Sequence, residues 1–422
     1  MSEVMNLESS LQKLFSLHTF GIKLGLDNIK AFLDYIGNPE KHLKAFHIAG
    51  SNGKGSTAAF IASILQECNY KVGLYTSPHF VKFNERIMIN DSQIQDEVVA
   101  EFITKYEKYI YEHKLTFFEV TTALAFNYFY DNKVDFAVIE TGLGGRLDAT
   151  NVFNALGVII TSISLEHENI LGKTIKEIAR EKAAIIKNHN KVFIGNLSEE
   201  AQIVIEEKCK ETGSQLYKIA DYANEKPGSL ELYTEEIELD DWAMPLRGSY
   251  QKYNAALAAL AVSKVLNIED TRKIEAGIKN VIVNTGFQGR YEFYNKKPDI
   301  IFDSAHNPEG VCNFISEFSK DYNSYNERIL IFGAMKDKNA LEMLKKLNDV
   351  FDKIFISEIN IERSYKVEDL VQIAEKAEVE VKPLNSPVSY IENFRSKAKE
   401  NDCLVVLGSM YLLGEIKSLL EK

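Results

Sequence analysis

The stretch Ile48-Ala49-Gly50-Ser51-Asn52-Gly53-Lys54-Gly55-Ser56-Thr57 is the most informative segment of this chain. It matches, with two departures, the phosphate-binding loop G-x-x-x-x-G-K-[ST], in which backbone N–H groups cradle phosphates and the lysine reaches the outer ones. Ile48 stands in place of the first glycine, and Gly55 stands in place of the hydroxyl residue. These departures disfavour ordinary kinases and GTPases and indicate a different class of ATP-using protein.

The residues on either side of this loop support phosphate binding. The apolar run at residues 45–49 is typical of a buried parallel strand, and apolar residues at helical spacing from Ala58 to Cys68 predict a helix that starts within the loop. The N–H groups and the positive dipole end of such a helix favour an anion. An ordinary glycine turn is the weaker interpretation, and we expect the ATP phosphates to contact Asn52, Gly53, Lys54, Gly55, Ser56 and Thr57.

Bulk composition limits the class of protein. A chain of 422 residues exceeds one ordinary core, so we expect two domains. A net charge of −12 argues against a nucleic-acid binder that relies on a broad basic face. The N-terminus carries no signal pattern, and no run reaches transmembrane length. Four scattered cysteines suggest free thiols, so we expect a cytoplasmic protein that binds neither nucleic acid nor a membrane.

Short apolar runs alternate with helical patterns along most of the chain, as in a sheet covered by helices. A first series of strands is predicted at residues 46–49, 71–76, 134–140, 157–162 and 191–195, and a second at 299–303, 328–333, 353–357 and 403–407. Alternation between residues 226 and 247 predicts an antiparallel strand or hairpin at the sheet edge. The predicted fold is therefore α/β. It has an N-terminal P-loop ATPase domain with a mostly parallel sheet, residues 1–287, and a smaller Rossmann-like α/β domain, residues 291–422.

Candidate ligand residues follow the predicted strands. Glu140 ends one strand and precedes three glycines in residues 142–145, which indicates a tight loop against a ligand. A carboxylate beyond the carboxyl end of a parallel strand, beside a phosphate loop, is placed to hold Mg²⁺. A site role and a core role are about equally supported for His167. Considered alone, Lys182 is typical of a snorkelling surface lysine, and Ser77 of a turn.

Together these segments resemble the Mur ligase superfamily and, within it, the folylpolyglutamate and dihydrofolate synthases. The resemblance covers nearly the whole chain and rests on long motifs in the same order. Besides the loop they include YTSPHFVKFNERI at 75–87, TFFEVTT at 116–122, ETGLGGRLDATNV at 140–152, DSAHNPEG at 303–310, GAMKDK at 333–338 and GSMYLLGE at 408–415. Gly55 fits the loop of this family.

The resemblance implies roles for the residues around the phosphates. Lys54 matches the phosphate lysine, with Ser56 beside it. Ser77 and Glu140 match the ligands of one Mg²⁺ ion, and Glu140 and His167 match the ligands of a second. Lys182 matches a lysine that the family carries as a carbamate, which would supply an anionic oxygen pair facing the metal region. Lys54, Lys182 and His167 form the expected catalytic set.

The resemblance also implies ligands for the adenine nucleotide and for the pterin. Asn254, Arg290, Asp303 and His306 match positions that contact the nucleotide. The positions that bind dihydropteroate in the bifunctional enzymes are matched by Thr116, Phe118 and Asp148. An aromatic ring can stack on a pterin, and a carboxylate can accept from its amino-pyrimidine edge. Core packing is the alternative for Phe118.

A few positions depart from the family pattern without removing a named ligand. Gln288 replaces a common tryptophan, which puts ring packing near the linker in doubt. Glu166 replaces the usual aspartate before His167. The other departures are Ser304, Glu309 and Ala184.

The resemblance implies an ATP-dependent ligase that joins L-glutamate to dihydropteroate, to (poly)glutamylated folates, or to both. The expected route is an acyl phosphate, with release of ADP and phosphate, and it uses ATP and two Mg²⁺ ions. Closure of the second domain is expected to exclude water. Reduced folates are further expected substrates, and a monomer is expected. The alternatives are a folylpolyglutamate synthase without dihydrofolate synthase activity, a UDP-muramoyl-type Mur ligase, and a non-catalytic nucleotide-binding regulatory protein.

Overall fold

The computed structural model describes residues 7–17, 25–226, 229–240 and 242–421. The chain forms two compact units. Unit 1 comprises Met1–Pro78, Asn84–Pro245 and Tyr253–Phe287, and unit 2 comprises His79–Phe83, Leu246–Lys252 and Gln288–Lys422. The predicted division at residues 288–290 does not include the two short segments of unit 2 that precede it, His79–Phe83 and Leu246–Lys252.

The first part of the chain alternates strands and helices. In chain order its elements are α1 (Leu7–Ser16), α2 (Asp27–Tyr35), β1 (Ala45–Ala49), α3 (Lys54–Glu67), β2 (Val72–Tyr75), β3 (Ile87–Ile89), β4 (Ser92–Gln93), α4 (Asp96–Glu112), α5 (Phe117–Asp131), β5 (Phe136–Glu140), β6 (Gly157–Ile160), α6 (Glu168–Leu171), α7 (Ile175–Ala183), β7 (Lys191–Ile194), α8 (Glu199–Thr212), β8 (Gln215–Lys218), β9 (Ala223–Lys226), β10 (Ser229–Tyr233), β11 (Glu238–Leu239), α9 (Ser249–Leu266), α10 (Thr271–Lys279) and α11 (Val281–Thr285).

The main sheet of unit 1 is mostly parallel, as predicted. Within the described residues its strand order is β4-β3-β2-β5-β1-β6-β7-β8. The pairs from β2 through to β8 are parallel, and β3 and β4 are antiparallel additions at one edge. The central strands β1, β5 and β6 are buried along their whole length, which explains their continuous apolar runs. Their carboxyl ends therefore lie side by side, with β1 in the middle.

The predicted hairpin is present but does not extend the main sheet. Strands β9, β10 and β11 form a separate antiparallel sheet in the order β11-β10-β9. Alternation along residues 229–233 correctly indicated antiparallel pairing, but it carries no information about which sheet a strand joins.

Helix α3, which follows the phosphate loop, is buried on almost all sides. Helix α10 packs closely against it at Gly277, where a Cβ atom would lie 2.4 Å from the Cα atom of Ile64. The hydroxyl of Ser63 also donates to the Gly277 carbonyl at 2.6 Å. This close contact holds the helix that carries the loop.

Unit 2 contains a second sheet. Its elements are β12 (Glu292–Asn295), β13 (Asp299–Asp303), α12 (Pro308–Phe318), β14 (Glu327–Phe332), α13 (Ala340–Asn348), β15 (Lys353–Ile356), α14 (Val367–Lys376), β16 (Lys382–Pro383), α15 (Pro387–Lys397), β17 (Asp402–Leu407) and α16 (Met410–Leu420). The strand order among the described residues is β12-β13-β17-β14-β15-β16, parallel except for β12 against β13.

Apolar clusters cover both faces of this second sheet, because alternate strand residues point to opposite sides. Ile301 packs with helices α12, α13 and α14, whereas Ile300 and Phe302 pack with α15 and α16. The α/β class predicted for both parts of the chain is confirmed. In the described part of the chain, no helix is both long enough and apolar enough to cross a membrane.

Candidate active site

The phosphate loop lies between the end of β1 at Ala49 and the start of α3 at Lys54. Gly53 precedes the helix with φ of +83°, a conformation that favours glycine. A Cβ atom on Gly53 would lie 2.6 Å from Oδ1 of Asn254. Gly53 therefore serves both the turn and the close approach of Asn254, and the structure brings these two predicted nucleotide residues together.

A segment after β6 holds the loop through hydrogen bonds that the sequence did not reveal. Ser162 Oγ accepts from the N–H of Asn52 at 2.8 Å and donates to its carbonyl at 3.1 Å. Thr161 Oγ1 donates to the same carbonyl at 2.6 Å. Ser51 Oγ and the backbone of Ser164 exchange two further bonds, of 3.0 and 3.2 Å. The signal in the sequence was the presence of three hydroxyl residues, Thr161, Ser162 and Ser164, directly after a strand.

Lys54 is folded back onto its own loop. Its ammonium donates to the carbonyl of Gly50 at 2.8 Å and to that of Ser51 at 3.3 Å. Ser56 and Thr57 are buried in the first turn of α3. These two bonds use two of the three N–H donors of the ammonium, so one donor is left for the predicted phosphate contact.

Glu140 and Ser77 lie together next to the phosphate loop. Strand β5 places Glu140 in register with Ile48 of β1, and the N–H of Ser77 donates to Glu140 Oε2 at 2.9 Å. A Cβ atom on Gly55 would lie 3.6 Å from the same oxygen. The glycine that departs from the common loop thus leaves open the space beside a carboxylate that is only 4% exposed.

These groups fit one Mg²⁺ ion. Mg²⁺ prefers oxygen ligands and is commonly held by one or two carboxylates, with phosphate and water oxygens completing the octahedron. The Glu140 carboxylate and the Ser77 hydroxyl are oxygen donors of that kind. Among the residues that the structure describes, no group of three or more His, Cys, Asp or Glu side chains is arranged to hold a metal. An ion at Glu140 would therefore depend on phosphate oxygens, and the second ion at Glu140 and His167 stays a prediction.

Lys182 is buried, in contrast to the surface position that its helix pattern alone suggests. It lies on α7 with 1% of its surface exposed, and Nζ donates to Glu166 Oε1 at 2.7 Å and to the Gly50 carbonyl at 2.8 Å. These two acceptors explain how an ammonium can be accommodated there. Sequence reasoning noted Glu166 as a departure from the family but did not identify it as the partner of Lys182.

The charges around Lys182 are coupled. Burial lowers the pKa of Lys182, and the carboxylate of Glu166 opposes part of this effect. Burial alone would raise the pKa of Glu166, but the ammonium groups of Lys182 and Lys54 hold it below its usual range. A lowered amine pKa favours the neutral form that reacts with CO₂, which is consistent with a carbamate at this position.

Two of the three predicted pterin residues, Phe118 and Asp148, contact the glycine loop at 142–145. Thr116 caps α5, where its hydroxyl and backbone N–H bond the side chain of Glu119. Phe118 is half-buried against the loop, since a Cβ atom on Gly142 would lie 2.5 Å from its ring. Its ring centroid is 6.1 Å from that of Tyr75. The structure therefore brings Phe118 to the loop, whereas Thr116 has a clear structural role as a helix cap.

Asp148 is buried beneath the same loop. Its carboxylate accepts from the N–H of Leu143 at 2.7 Å and from the N–H and hydroxyl of Thr150 at 3.0 and 2.5 Å. Burial raises the pKa of Asp148, and the hydrogen bonds from Thr150 and Leu143 oppose this change. Three of the roughly four acceptor positions of a carboxylate are thus occupied by the chain itself. Direct recognition of a pterin by Asp148 stays a prediction.

In unit 2, three predicted nucleotide residues lie close in sequence to one end of the antiparallel pair β12–β13, where β12 begins and β13 ends. Asp303 ends β13, where it accepts from the N–H groups of Tyr291 and Ala305, both at 2.8 Å. Burial raises the pKa of Asp303, and the charge of Arg290 opposes this. His306 Nδ1 lies 2.9 Å from the carbonyl oxygen of Ser304. The nucleotide roles of Arg290, Asp303 and His306 stay predictions.

Gln288, which departs from the family pattern, also has a defined contact in unit 2. Its side-chain oxygen accepts from Lys417 Nζ at 2.5 Å, and the same ammonium pairs with Glu292 at 2.6 Å. Gln288, Lys417 and Glu292 thus form a polar cluster at the position where a tryptophan ring is common in the family.

Comparison with known proteins identifies the family of this chain. The Mur ligase middle domain matches residues 48–262, and the Mur ligase, glutamate ligase domain matches residues 289–410. The chain belongs to the Mur ligase family.

Within this family, the chain is similar over its whole length to enzymes of folate metabolism. It is 36% identical to the dihydrofolate synthase/folylpolyglutamate synthase of Bacillus subtilis, over 95% of this chain and 96% of that protein. A Mycobacterium tuberculosis folylpolyglutamate synthase, solved with ADP and AMPPCP, has a TM-score of 0.88 at 26% identity, covering 99% of both chains. Escherichia coli FolC in complex with DHPP and ADP has a TM-score of 0.86 at 28% identity, covering 98% of this chain and 97% of that one. The predicted family resemblance is confirmed.

Proposed function

We propose that this chain is an ATP-dependent ligase that joins L-glutamate to dihydropteroate and to folates that already carry glutamate. One observation supports this most strongly. Strand β5 ends in Glu140, beside the phosphate loop, and Gly142, two residues later, lies against the ring of Phe118. This supports the proposal because, with the pterin at Phe118 as predicted, the phosphates and the acceptor carboxylate would be adjacent in unit 1, as phosphoryl transfer to that carboxylate requires.

The need for ATP follows from the chemistry of the acceptor. A carboxylate is a poor acyl donor because its leaving group would be oxide. Its oxygen therefore attacks the γ-phosphorus, the bond to the β-phosphate oxygen breaks, and ADP leaves. The free amine of L-glutamate then attacks the acyl carbon of the acyl phosphate, phosphate leaves with the bonding electrons, and the amide nitrogen loses its extra proton to solvent.

The residues of this chain contribute position and charge. The N–H groups at the start of α3 and the ammonium of Lys54 receive the phosphates, and Asn254 lies beside Gly53 to contact the nucleotide. Glu140 and Ser77 are the residues that would hold Mg²⁺, which when bound neutralises charge on the phosphates. The ADP and AMPPCP in the related structures support nucleotide binding here. Two ions, a carbamate on Lys182 and a monomeric state are further parts of this proposal.

A folylpolyglutamate synthase without dihydrofolate synthase activity is the second candidate. The chain is 32% identical to the folylpolyglutamate synthase of Lacticaseibacillus casei over 78% of its length. The relative from Bacillus subtilis carries both names and matches more of the chain, which favours the bifunctional assignment.

The test is glutamate ligation by the purified chain with ATP and Mg²⁺, with dihydropteroate and tetrahydrofolate offered in separate reactions. We expect ADP release that requires both glutamate and acceptor, and a glutamylated product by mass spectrometry in both reactions. Product from tetrahydrofolate alone would favour the second candidate. ADP release with UDP-muramoyl substrates but with neither pterin compound would identify a different Mur ligase. ATP binding without turnover in every mixture would indicate a regulatory protein.

A further inference from the structure

His47 is a buried histidine that the proposed chemistry does not use. It lies within β1, three residues before the phosphate loop begins at Gly50, and its ring centroid is 4.8 Å from that of Phe153. Its Nε2 atom lies 2.8 Å from the hydroxyl oxygen of Thr150. Burial lowers the pKa of His47 to about 3, and the nearby charge of Lys187 adds to this effect. The ring is therefore neutral at physiological pH.

The direction of this hydrogen bond follows from the groups around it. The Thr150 hydroxyl has one proton, which it donates to Asp148 Oδ1 at 2.5 Å. It can then only accept from His47, so Nε2 carries the hydrogen of the neutral ring. The three side chains form one directed series, from His47 through Thr150 to Asp148.

The series ends on the backbone of the glycine loop. Asp148 Oδ2 accepts from the N–H of Leu143, and Oδ1 accepts from the N–H of Thr150. Leu143 follows Gly142, against which the ring of Phe118 packs. The orientation of the Asp148 carboxylate therefore fixes the loop that faces the predicted pterin.

We propose that His47 is a positioning residue, which orients the Asp148 carboxylate through Thr150 and so holds the loop at residues 142–145 in its binding conformation. The part that concerns substrate affinity rests on the proposed function. Because the phosphate loop follows directly from the strand that carries His47, β1 supports the two sides of the site. His47 is 1% exposed and is not one of the residues proposed to contact a substrate.

The test compares His47→Leu, which removes the donor, with His47→Gln, whose carboxamide N–H₂ can replace Nε2. The first measurement is hydrogen–deuterium exchange of peptides covering residues 142–150 in the intact protein. We expect faster exchange in His47→Leu, by about tenfold for the N–H of Leu143, and near-normal exchange in His47→Gln, since tenfold is the effect of one lost hydrogen bond.

The second measurement is steady-state kinetics. His47→Leu should raise KM for dihydropteroate by about tenfold while KM for ATP changes by less than about twofold, and His47→Gln should restore most of the loss. Thr150→Val, which keeps side-chain shape but removes the hydroxyl, should reproduce the effect. The double variant His47→Leu/Thr150→Val should raise KM for dihydropteroate no more than either single variant does, because each of these variants breaks the same series of hydrogen bonds.

A matched control separates the hydrogen bonds from simple packing. Phe126 packs on the same Phe153 ring, with centroids 5.7 Å apart, but is not part of the series. Phe126→Leu should leave both the exchange at residues 142–150 and KM for dihydropteroate unchanged. If it matched His47→Leu in both, the positioning role would be overturned in favour of packing.

Other outcomes are equally decisive. Normal exchange at residues 142–150 in both His47→Leu and Thr150→Val would overturn the inference, and Thr150→Val supplies this result even if His47→Leu fails to fold. Equal losses in KM for ATP and for dihydropteroate would also overturn it. A wild-type protein that ligates neither pterin compound would refute the proposed function instead, while the exchange measurement would still decide the role of His47.

Discussion

Substitution of Lys182 can test whether its side chain works as a cation or as an anion. In the structure its ammonium is buried and donates to Glu166 and to the Gly50 carbonyl, so these two acceptors offset part of the cost of burying a cation there. The family resemblance instead implies a carbamate, which is an anion. The cation and the anion require partners of opposite charge. Small ions added to a variant with a cavity at this position can therefore distinguish them.

Lys182→Ala should abolish ligation and cost about 3–5 kcal/mol of stability, because it leaves the Glu166 carboxylate buried without its partner. If the working form is a carbamate, acetate or formate should restore part of the activity, and methylammonium should not. Ligation and its recovery are measured with each additive. The double variant Lys182→Met with Glu166→Gln, which removes both charges, serves as the stability control. Full activity in Lys182→Ala would refute the carbamate role.

His47 makes stability depend on pH. Its pKa is about 3 in the folded protein, lowered by burial and by Lys187, against about 6.5 in the unfolded chain. Between these two pKa values the unfolded state binds more protons than the folded state. The contribution of the neutral His47 ring to the free energy of unfolding is therefore complete above about pH 6.5 and is lost as pH falls towards 3. We expect His47→Gln to reduce the slope of unfolding free energy against pH by up to about 1.4 kcal/mol per pH unit. Urea unfolding at about pH 7, 6 and 5 measures this, and parallel curves for the two proteins would contradict it.

The proximities that could be predicted from sequence are those between residues of the long motifs. Glu140 and Ser77 meet beyond neighbouring strand ends, and Asn254, within α9, reaches Gly53, while their ligand roles stay predictions. The pairing of Lys182 with Glu166 and the contact of Ser162 with Asn52 could not be predicted. Such hydrogen bonds depend on atomic positions in the folded chain, and the local sequence pattern does not specify them.

The segment at residues 161–164, which follows β6, holds the phosphate loop in place. Ser162→Ala removes both bonds between its hydroxyl and the backbone of Asn52. We expect KM for ATP to rise by about tenfold, with KM for glutamate nearly unchanged, because a freer loop must be ordered by the nucleotide. Kinetics with each substrate varied in turn measure this effect. Ser198→Ala is the control, since Ser198 precedes α8 without a side-chain capping bond. Unchanged KM for ATP would show that the segment does not order the loop.

Central strands were predictable and edge strands were not, for a physical reason. β1, β5 and β6 are buried on both faces, so their composition is almost wholly apolar. β4 and β16, by contrast, have two exposed residues each. An exposed pair of residues joins a sheet through backbone hydrogen bonds, which leave little trace in side-chain pattern.

The core of unit 2 includes a side chain from early in the chain. Phe80 is only 6% exposed and packs in the cluster that contains Ile300, Leu413 and Ile416. A Cβ atom on Gly414 would lie 1.8 Å from the Phe80 carbonyl oxygen. The core of unit 2 is therefore not contained in residues 288–422 alone.

Phe80→Ala should destabilise unit 2 by about 3–5 kcal/mol, the usual cost of an emptied aromatic site in a core. Denaturant unfolding followed by hydrogen exchange of peptides from residues 288–422 assigns the loss to this unit. Leu419→Ala, at a side chain that is 47% exposed, should change stability by less than about 0.5 kcal/mol. A separate fragment of residues 288–422 should be less stable than the same residues in the full chain, and equal stability would contradict the role of Phe80.

The position of Phe80 also sets the order in which a new chain can fold. More than 300 residues separate it from α16, so at roughly 5–20 residues per second the ribosome needs roughly 15–70 s to make its partner helix. Unit 2 cannot close its core during that interval, and contacts so distant in sequence form slowly afterwards. In each nascent chain, the apolar side chains of Phe80 and Val81 therefore lack their final cover through most of translation.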